Sequence, residues 1–253
     1  MPGYASCVEA TGLFRQRDKR LNNTQPGQEM ETVAVLDFET TGLSPNWGDR
    51  ATEIVITLVR DGQVIDRFQS LMNAGRRIPA DVTQLTGITN AMIASAPPVA
   101  KVMREASKFV DKTPVVAHNA SFDKKFWEAE LAFLSIPSSS VFACTMLLSR
   151  RVYPQSPNHK LSTLVQLLGL PKSGRAHRAM VDAEMASHLW CRIQQDVSKT
   201  YSIQSVGHEL LTRVQKVSRA KMPTLLQACL SAERGLHRLS SEAVLLRLTT
   251  RIE

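Results

Sequence analysis

The chain has 253 residues, 43% of them hydrophobic, and a formal net charge of +8, which suits one large globular domain or a medium domain with an appendage. No apolar run approaches the roughly 18–20 residues needed to span a bilayer, and the N-terminus lacks the apolar stretch of a secretory signal, so neither a membrane partner nor export is expected. The four cysteines, Cys7, Cys144, Cys191 and Cys229, are scattered without zinc-type spacing and read as reduced thiols of a cytoplasmic protein.

Residues 1–31 place Pro2, Gly3, Gly12, Asn22, Asn23, Pro26 and Gly27 around the charged stretch RQRDKR and read as a mobile N-terminal arm. A domain is expected over residues 32–198. It opens with the apolar run Val33–Leu36, the signature of a buried strand, leading into DFETTGL. Side chains on a strand alternate faces, so Asp37 and Glu39 share one face. Two carboxylates held that close repel one another unless protonated or bridged by a cation. A hard divalent ion is the natural bridge, since it prefers oxygen ligands. Acid-x-acid spacing alone proves little, because Glu29/Glu31, Glu128/Glu130 and Asp182/Glu184 repeat it. Only Asp37/Glu39 directly ends a strand-like run and is followed by a Thr-Thr-Gly turn.

Glu53–Arg60 and Val64–Leu71 read as two further strands joined by an Asp61-Gly62 hairpin turn. The segment Leu85-Thr86-Gly87 reads as the end of a short helix, leaving apolar side chains beside a cleft. Helical spacing of Val99, Val102, Met103, Ala106 and Val110 predicts a helix over 98–110. A short buried strand is expected at Pro114–Ala117, then a helix capped by Ser121 and running to Leu134. Another strand is expected at Val141–Thr145, a short helix at Lys160–Leu168 closed by Gly169 and Pro171, and a long helix from about Ala179 to Val197. A meander followed by βαβα units gives an α/β fold, a ribonuclease H-like mixed sheet flanked by helices.

Two more sites accompany the opening pair. His118-Asn119-Ala120-Ser121-Phe122-Asp123 lies where a strand ends and a helix begins, the place where ligands gather in α/β sheets. Alternatively, Asp123 is a first-turn acid favoured by the helix dipole. His177-Arg178-Ala179-Met180-Val181-Asp182 opens the long helix. Five positions on a helix rotate by about 140°, so His177 belongs to the preceding loop while Asp182 sits on the helix. That division suits a fixed metal ligand paired with a movable base; the plain alternative is an ordinary loop histidine, one of six.

Together DFETTGL, HNASFD and HRAMVDA, in this order and spacing, resemble the DEDDh family of 3′→5′ exonucleases, which includes the epsilon proofreading subunits of bacterial replicative polymerases. The resemblance covers residues 32–198. It implies that Asp37, Glu39, Asp123 and Asp182 hold two divalent ions, Mg²⁺ or Mn²⁺, and that His177 takes a proton from the attacking water. It also implies that Thr40, Thr41 and Leu43 hold the terminal nucleotide, with Leu85, His118 and Phe122 lining its base pocket. The partners implied are nucleic acid 3′ ends, single-stranded DNA first, and a DNA polymerase as a further candidate. Replication and repair are the settings implied. Two alternatives stay open: an RNA-trimming exoribonuclease, and a catalytically silent module that only binds nucleic acid or a polymerase.

Residues 199–253 hold nine basic and four acidic groups, the largest share of the excess charge. Apolar residues recur there with helical spacing at Leu210, Leu211, Val214 and Val217, then at Leu225, Leu226, Cys229 and Leu230. A basic helical C-terminal extension is expected, read as a cap packed on the domain. Its charge alternatively serves to grip a phosphate backbone. It contains no Phe or Trp, and so no clamp-binding motif of Gln, aliphatic and paired aromatic residues.

Overall fold

The computed structural model describes the backbone of residues 13–17 and all atoms of residues 31–172 and 179–231. The mixed sheet is organised around β2 (Thr32–Thr40), whose apolar run is buried on both faces. Antiparallel to it lies β3 (Ala51–Arg60), followed by β4 (Gln63–Leu71). Asp61 and Gly62 both adopt positive φ, 52° and 72°, as a tight two-residue hairpin turn requires. On the other side of β2, β5 (Val115–Ala117) and β6 (Phe142–Cys144) run parallel. Leu13–Arg17 forms β1 on the far edge, antiparallel to β4. The order is therefore β1-β4-β3-β2-β5-β6, the expected meander followed by parallel crossovers. Strand β1 lies inside the stretch read as an arm; its charged sequence carries no alternating apolar signal.

Helices cover both faces. After β4 come α1 (Ala80–Thr86), α2 (Asn90–Ala94) and α3 (Val99–Val110), and after β5 comes α4 (Ala120–Ala132). Then α5 (Thr145–Val152), α6 (Leu161–Leu167), α7 (Ala179–Tyr201) and α8 (His208–Val214) follow, with residues 222–231 also helical. Leu36, Phe38, Ile54, Ile56 and Phe68 pack against Val102, Met103 and Ala106 of α3 and Phe126, Trp127 and Leu131 of α4. Val33 and Val35, on the opposite face, pack against Leu189, Trp190 and Ile193 of α7. Two-sided burial explains why β2 reads as a continuous apolar run. Among the described residues no helix is long and apolar enough to cross a membrane.

One expected cap is corrected. Ser121 lies inside α4, and the N-cap is Asn119, in the left-handed conformation at φ 63° and ψ 45°. Asparagine tolerates this region better than most residues, so the chain reverses from β5 into α4 two residues earlier. The extension beyond 199 is bound tightly where it is described. Leu211, Val214, Met222 and Leu226 are buried in the same cluster as Val33 and Val35. Gln215 accepts from Cys144 N at 2.7 Å and donates to Phe142 O at 3.0 Å. One side-chain amide thus satisfies the open edge of β6, which would otherwise present unpaired backbone groups.

A buried ion pair joins the turn after β2 to α4. Arg50 donates to both carboxylate oxygens of Glu130, at 2.8 and 2.7 Å, and Glu130 also accepts from Ala51 N at 3.2 Å. The Glu130 side chain is 2% exposed. Removing one member strands the other charge in a poorly solvated site. Glu130→Ala is therefore expected to lower unfolding stability by about 3 kcal/mol, read from urea denaturation; a loss below about 1 kcal/mol would show the pair to be solvent-screened.

Candidate active site

The site forms where the sheet opens between β2 and β5. Ala34 N donates to Pro114 O at 2.8 Å, and N–H groups of the same parity along β2 face β5. Because β5 stops at Ala117, Phe38 N has no strand partner on that side. Asp123 fills the gap, its Oδ1 accepting from Phe38 N at 3.1 Å. Asp123 occupies the first turn of α4, where free amides and the helix dipole favour a negative charge. The acid from α4 is thus pinned to the residue lying between Asp37 and Glu39.

Helix α7 delivers the other acid. Ala179 and Ala183, both fully buried, cluster with Val55, and Val55 is the cross-strand partner of Asp37. Two alanines allow a close approach of the first turns of α7 to the sheet, bringing Asp182 to Asp37. Farther along, the Ser187 hydroxyl donates to Ala183 O at 2.7 Å, leaving Thr57 to donate to Ser187 Oγ at 2.8 Å. That bond fixes the helix against β3. One carboxylate oxygen from each of Asp37, Glu39 and Asp182 lies within 4.8 Å of the others. This donor set fits a hard divalent cation, which takes oxygen ligands and relieves like-charge repulsion.

The electrostatics express that repulsion. Burial, and then the charges of Asp123, Glu39, Asp182 and Glu53, hold the Asp37 carboxyl well above the usual carboxylate range. Burial likewise pushes Asp123 up to about 7, against the opposing bond from Phe38 N. Glu53 is the residue that sequence reasoning missed. It lies directly opposite Glu39 across the β2–β3 ladder, is buried, and accepts from Gln69 Nε2 at 2.7 Å. The signal for it was the strand register, which neither apolar run specifies alone.

The remaining expected residues lie at the end of β2 and in the turn after it, on α1, and around the start of α4. Thr40 and Thr41 are buried where the register shifts after Glu39, a bulge of the kind that re-aims side chains beside sites. Thr40 Oγ1 donates to Gly42 O at 2.6 Å, and Thr41 Oγ1 accepts from Arg50 N at 3.0 Å. Leu43 and Leu85 are exposed, by 69% and 53%. Phe122 is partly buried, tilted against Phe126 with ring centres 5.1 Å apart. His118 is held at both ring nitrogens, by Thr145 Oγ1 at 2.9 Å and His159 O at 3.0 Å. Because a carbonyl only accepts, Nε2 carries the proton and Nδ1 accepts from Thr145. Both ring nitrogens of His118 are thus taken up within the fold. Burial lowers its pKa to about 4. His177 falls in residues 173–178, outside the described residues.

Comparison with known proteins places these features in company. A family model described as an exonuclease, RNase_T, matches residues 34–189. A DNA polymerase III of the PolC type from Bacillus subtilis (strain 168) is 35% identical over 179 residues, which is 68% of this chain and 12% of that protein. The 3′-5′ exonuclease DinG of the same organism is 37% identical over 165 residues, 64% of this chain and 18% of that protein. The chain thus spans less than a fifth of the length of either relative. Among solved structures, Exonuclease X in complex with 5′ overhanging duplex DNA superposes with a TM-score of 0.57 at 25% identity, covering 72% of this chain and 99% of that one.

The raised carboxyl groups have a consequence for stability. An acid whose folded pKa lies above its unfolded value binds more protons when folded, so stability falls as pH rises between the two values. For Asp123 that window runs from about 4 to about 7, and Asp37 shifts in the same direction. Without metal, the melting temperature is expected to drop across this window. Millimolar Mn²⁺ should restore it, and Asp37→Asn should flatten the slope. A metal-independent melting temperature, or an unchanged slope in Asp37→Asn, would remove these acids from a shared cation site.

Proposed function

The chain belongs to the exonuclease family whose model spans its residues 34–189, and on that basis we propose that it is a metal-dependent 3′→5′ exonuclease acting on DNA ends. The observation that carries this reading is the convergence of Asp37, Glu39 and Asp182, with Asp123 at its side. A module that merely bound nucleic acid would have no use for carboxylates pressed together at the cost of raised pKa values. The description of DinG as a 3′-5′ exonuclease supports the polarity. A polymerase relative and a duplex-DNA complex among the similar proteins support DNA as a substrate.

In this reading, water attacks the terminal phosphodiester, the 3′-oxygen of the penultimate nucleotide leaves, and a nucleoside 5′-monophosphate is released. Asp37, Glu39, Asp123 and Asp182 would hold two divalent ions, Mg²⁺ or Mn²⁺, which supply charge neutralisation at the attacking and leaving oxygens. His177 takes the proton of the attacking water, a task suited to a side chain of near-neutral pKa. Thr40, Thr41 and Leu43 hold the terminal nucleotide, while Leu85, Phe122 and the ring of His118 bound its base. A DNA polymerase is the proposed protein partner and replication or repair the setting, supported by the PolC-type relative. The free thiols of Cys144, Cys191 and Cys229 are in keeping with a reducing, cytoplasmic environment.

Single-stranded DNA, 3′-mismatched duplex and RNA, each labelled at one end, test the reading in Mg²⁺, Mn²⁺ and EDTA. Nucleoside 5′-monophosphates should appear from the 3′ end of DNA, and EDTA should abolish them. Asp37→Ala should reduce turnover by roughly 10³-fold or more while keeping the fold, the scale expected when groups stabilising transition-state charge are lost. Release from the 5′ end, or full turnover in EDTA, would overturn the proposal. A preference for RNA would correct its substrate. Activity should also rise with pH as His177 loses its proton, and His177→Ala should remove that limb. An identical pH profile in the variant would take His177 out of the base role.

A further inference from the structure

The turn between β2 and β3 exposes Leu43 and Trp47, by 69% and 75%, a few residues past the acids of β2. Trp47 ends a short 3₁₀ turn, Pro45–Trp47. Two large apolar side chains left in water would normally ride on a loose loop. This loop is instead fixed at almost every backbone position. Its base is closed by Thr41 N donating to Arg50 O at 2.9 Å, and its interior by Trp47 N donating to Ser44 O at 3.0 Å and Gly48 N to Pro45 O at 2.9 Å. Asp49 accepts from Ser44 N at 3.0 Å. The same carboxylate leaves no room beside Gly42, where a Cβ would meet Asp49 Oδ1 at 2.5 Å.

Outside groups hold the loop as well. The Arg50–Glu130 pair ties its end to α4, the helix that carries Asp123. Two cations reach its carbonyls: Lys125 Nζ lies 3.4 Å from Leu43 O, and Arg76 Nε donates to Gly48 O at 3.0 Å. A rigid, exposed indole on a loop that two cations bond, beside a phosphodiester-cleaving site, is the combination that grips single strands. Cations track the backbone while bases stack on the aromatic face, without regard to sequence.

The geometry points to Trp47 as a stacking platform for a base of the single-stranded substrate upstream of the nucleotide being removed, with Arg76 and Lys125, bonded to the same loop, for the phosphates. This inference rests on the exonuclease reading for its substrate. It adds a positioning residue that works on strand binding and leaves the chemistry to the acids.

The test pairs a single-stranded oligodeoxynucleotide with the p-nitrophenyl ester of thymidine 5′-monophosphate, which has no upstream base. Trp47→Ala should raise KM for the oligonucleotide by about tenfold, the worth of one base–aromatic stack, with kcat little changed. Trp47→Phe should recover most of the loss, and both variants should hydrolyse the mononucleotide ester like the parent. An unchanged KM for the oligonucleotide, or equal damage on the ester, would overturn the platform. Binding supplies a second readout that needs no turnover, because Trp127 and Trp190 are buried at 2% and 1% exposure. Oligothymidylate should quench the fluorescence of the parent and not that of Trp47→Phe; equal quenching in both, or none in the parent, would also overturn it. If the parent cleaves neither substrate, the exonuclease reading fails, and the quenching comparison still decides the platform.

Discussion

Mutual repulsion among carboxylates at the end of β2 is the constraint around which the rest of the molecule is built. Asp37 feels Asp123, Glu39, Asp182 and Glu53 at once, in a place where burial has already removed much of the screening by water. Nothing in the local chain favours this arrangement. It persists because each acid rides on an element whose position is set by apolar packing elsewhere. Leu36 and Phe38 anchor β2 in one core and Val33 and Val35 anchor it in the other. The strand is thus held from both faces and cannot relax to spread its charges. Such strain is what a site loses when a cation enters it, so the same packing that costs stability without metal favours binding of metal.

Two short connections transmit this constraint. The Asp123–Phe38 bond joins α4 to the strand between the two acids, and the Arg50–Glu130 pair joins the same helix to the loop that follows them. Asp123 and Glu130 are seven residues apart on α4, two turns, and so lie on one face of the helix. One helix face therefore sets both the acid cluster and the loop carrying Leu43 and Trp47. The guanidinium of Arg50 also lies 4.6 Å from the centre of the Phe133 ring, which shields the pair further. The acid cluster and the loop carrying Leu43 and Trp47 are both tied to α4, and a shift in that helix moves both.

Much of this was legible in the sequence, and the reasons differ by element. Strand β2, the β3–β4 hairpin, α3 and α7 follow from periodicity and turn chemistry, because each buries a regular face. The acids Asp37, Glu39, Asp123 and Asp182 stood out from their positions at strand ends and helix starts. Glu53 did not, because its place opposite Glu39 depends on register, and register is a property of the paired strands. Arg50 and Glu130 lie eighty positions apart, and nothing local marks either as a partner of the other. Asn119 replaces Ser121 as the start of α4 because a left-handed turn, and not a side-chain cap, makes the corner there. In residues 199–253 the helical spacing of Leu211, Val214 and Leu226 pointed to a packed cap, and these side chains enter the core.

His118 illustrates how position settles a property that composition leaves open. His118 is bonded at both nitrogens and kept neutral down to about pH 4 by burial, so it carries no charge change across the physiological range. Its bonds to Thr145 at the start of α5 and to His159 O before α6 instead tie three chain segments together. A pH response between 5 and 8 must then come from other groups. Asp123, near 7 without metal, is one; yet a bound cation favours its charged form and drives its pKa down, removing it from that range. With a cation bound, neither His118 nor Asp123 would titrate between pH 5 and 8, so a neutral-range response would belong to another group.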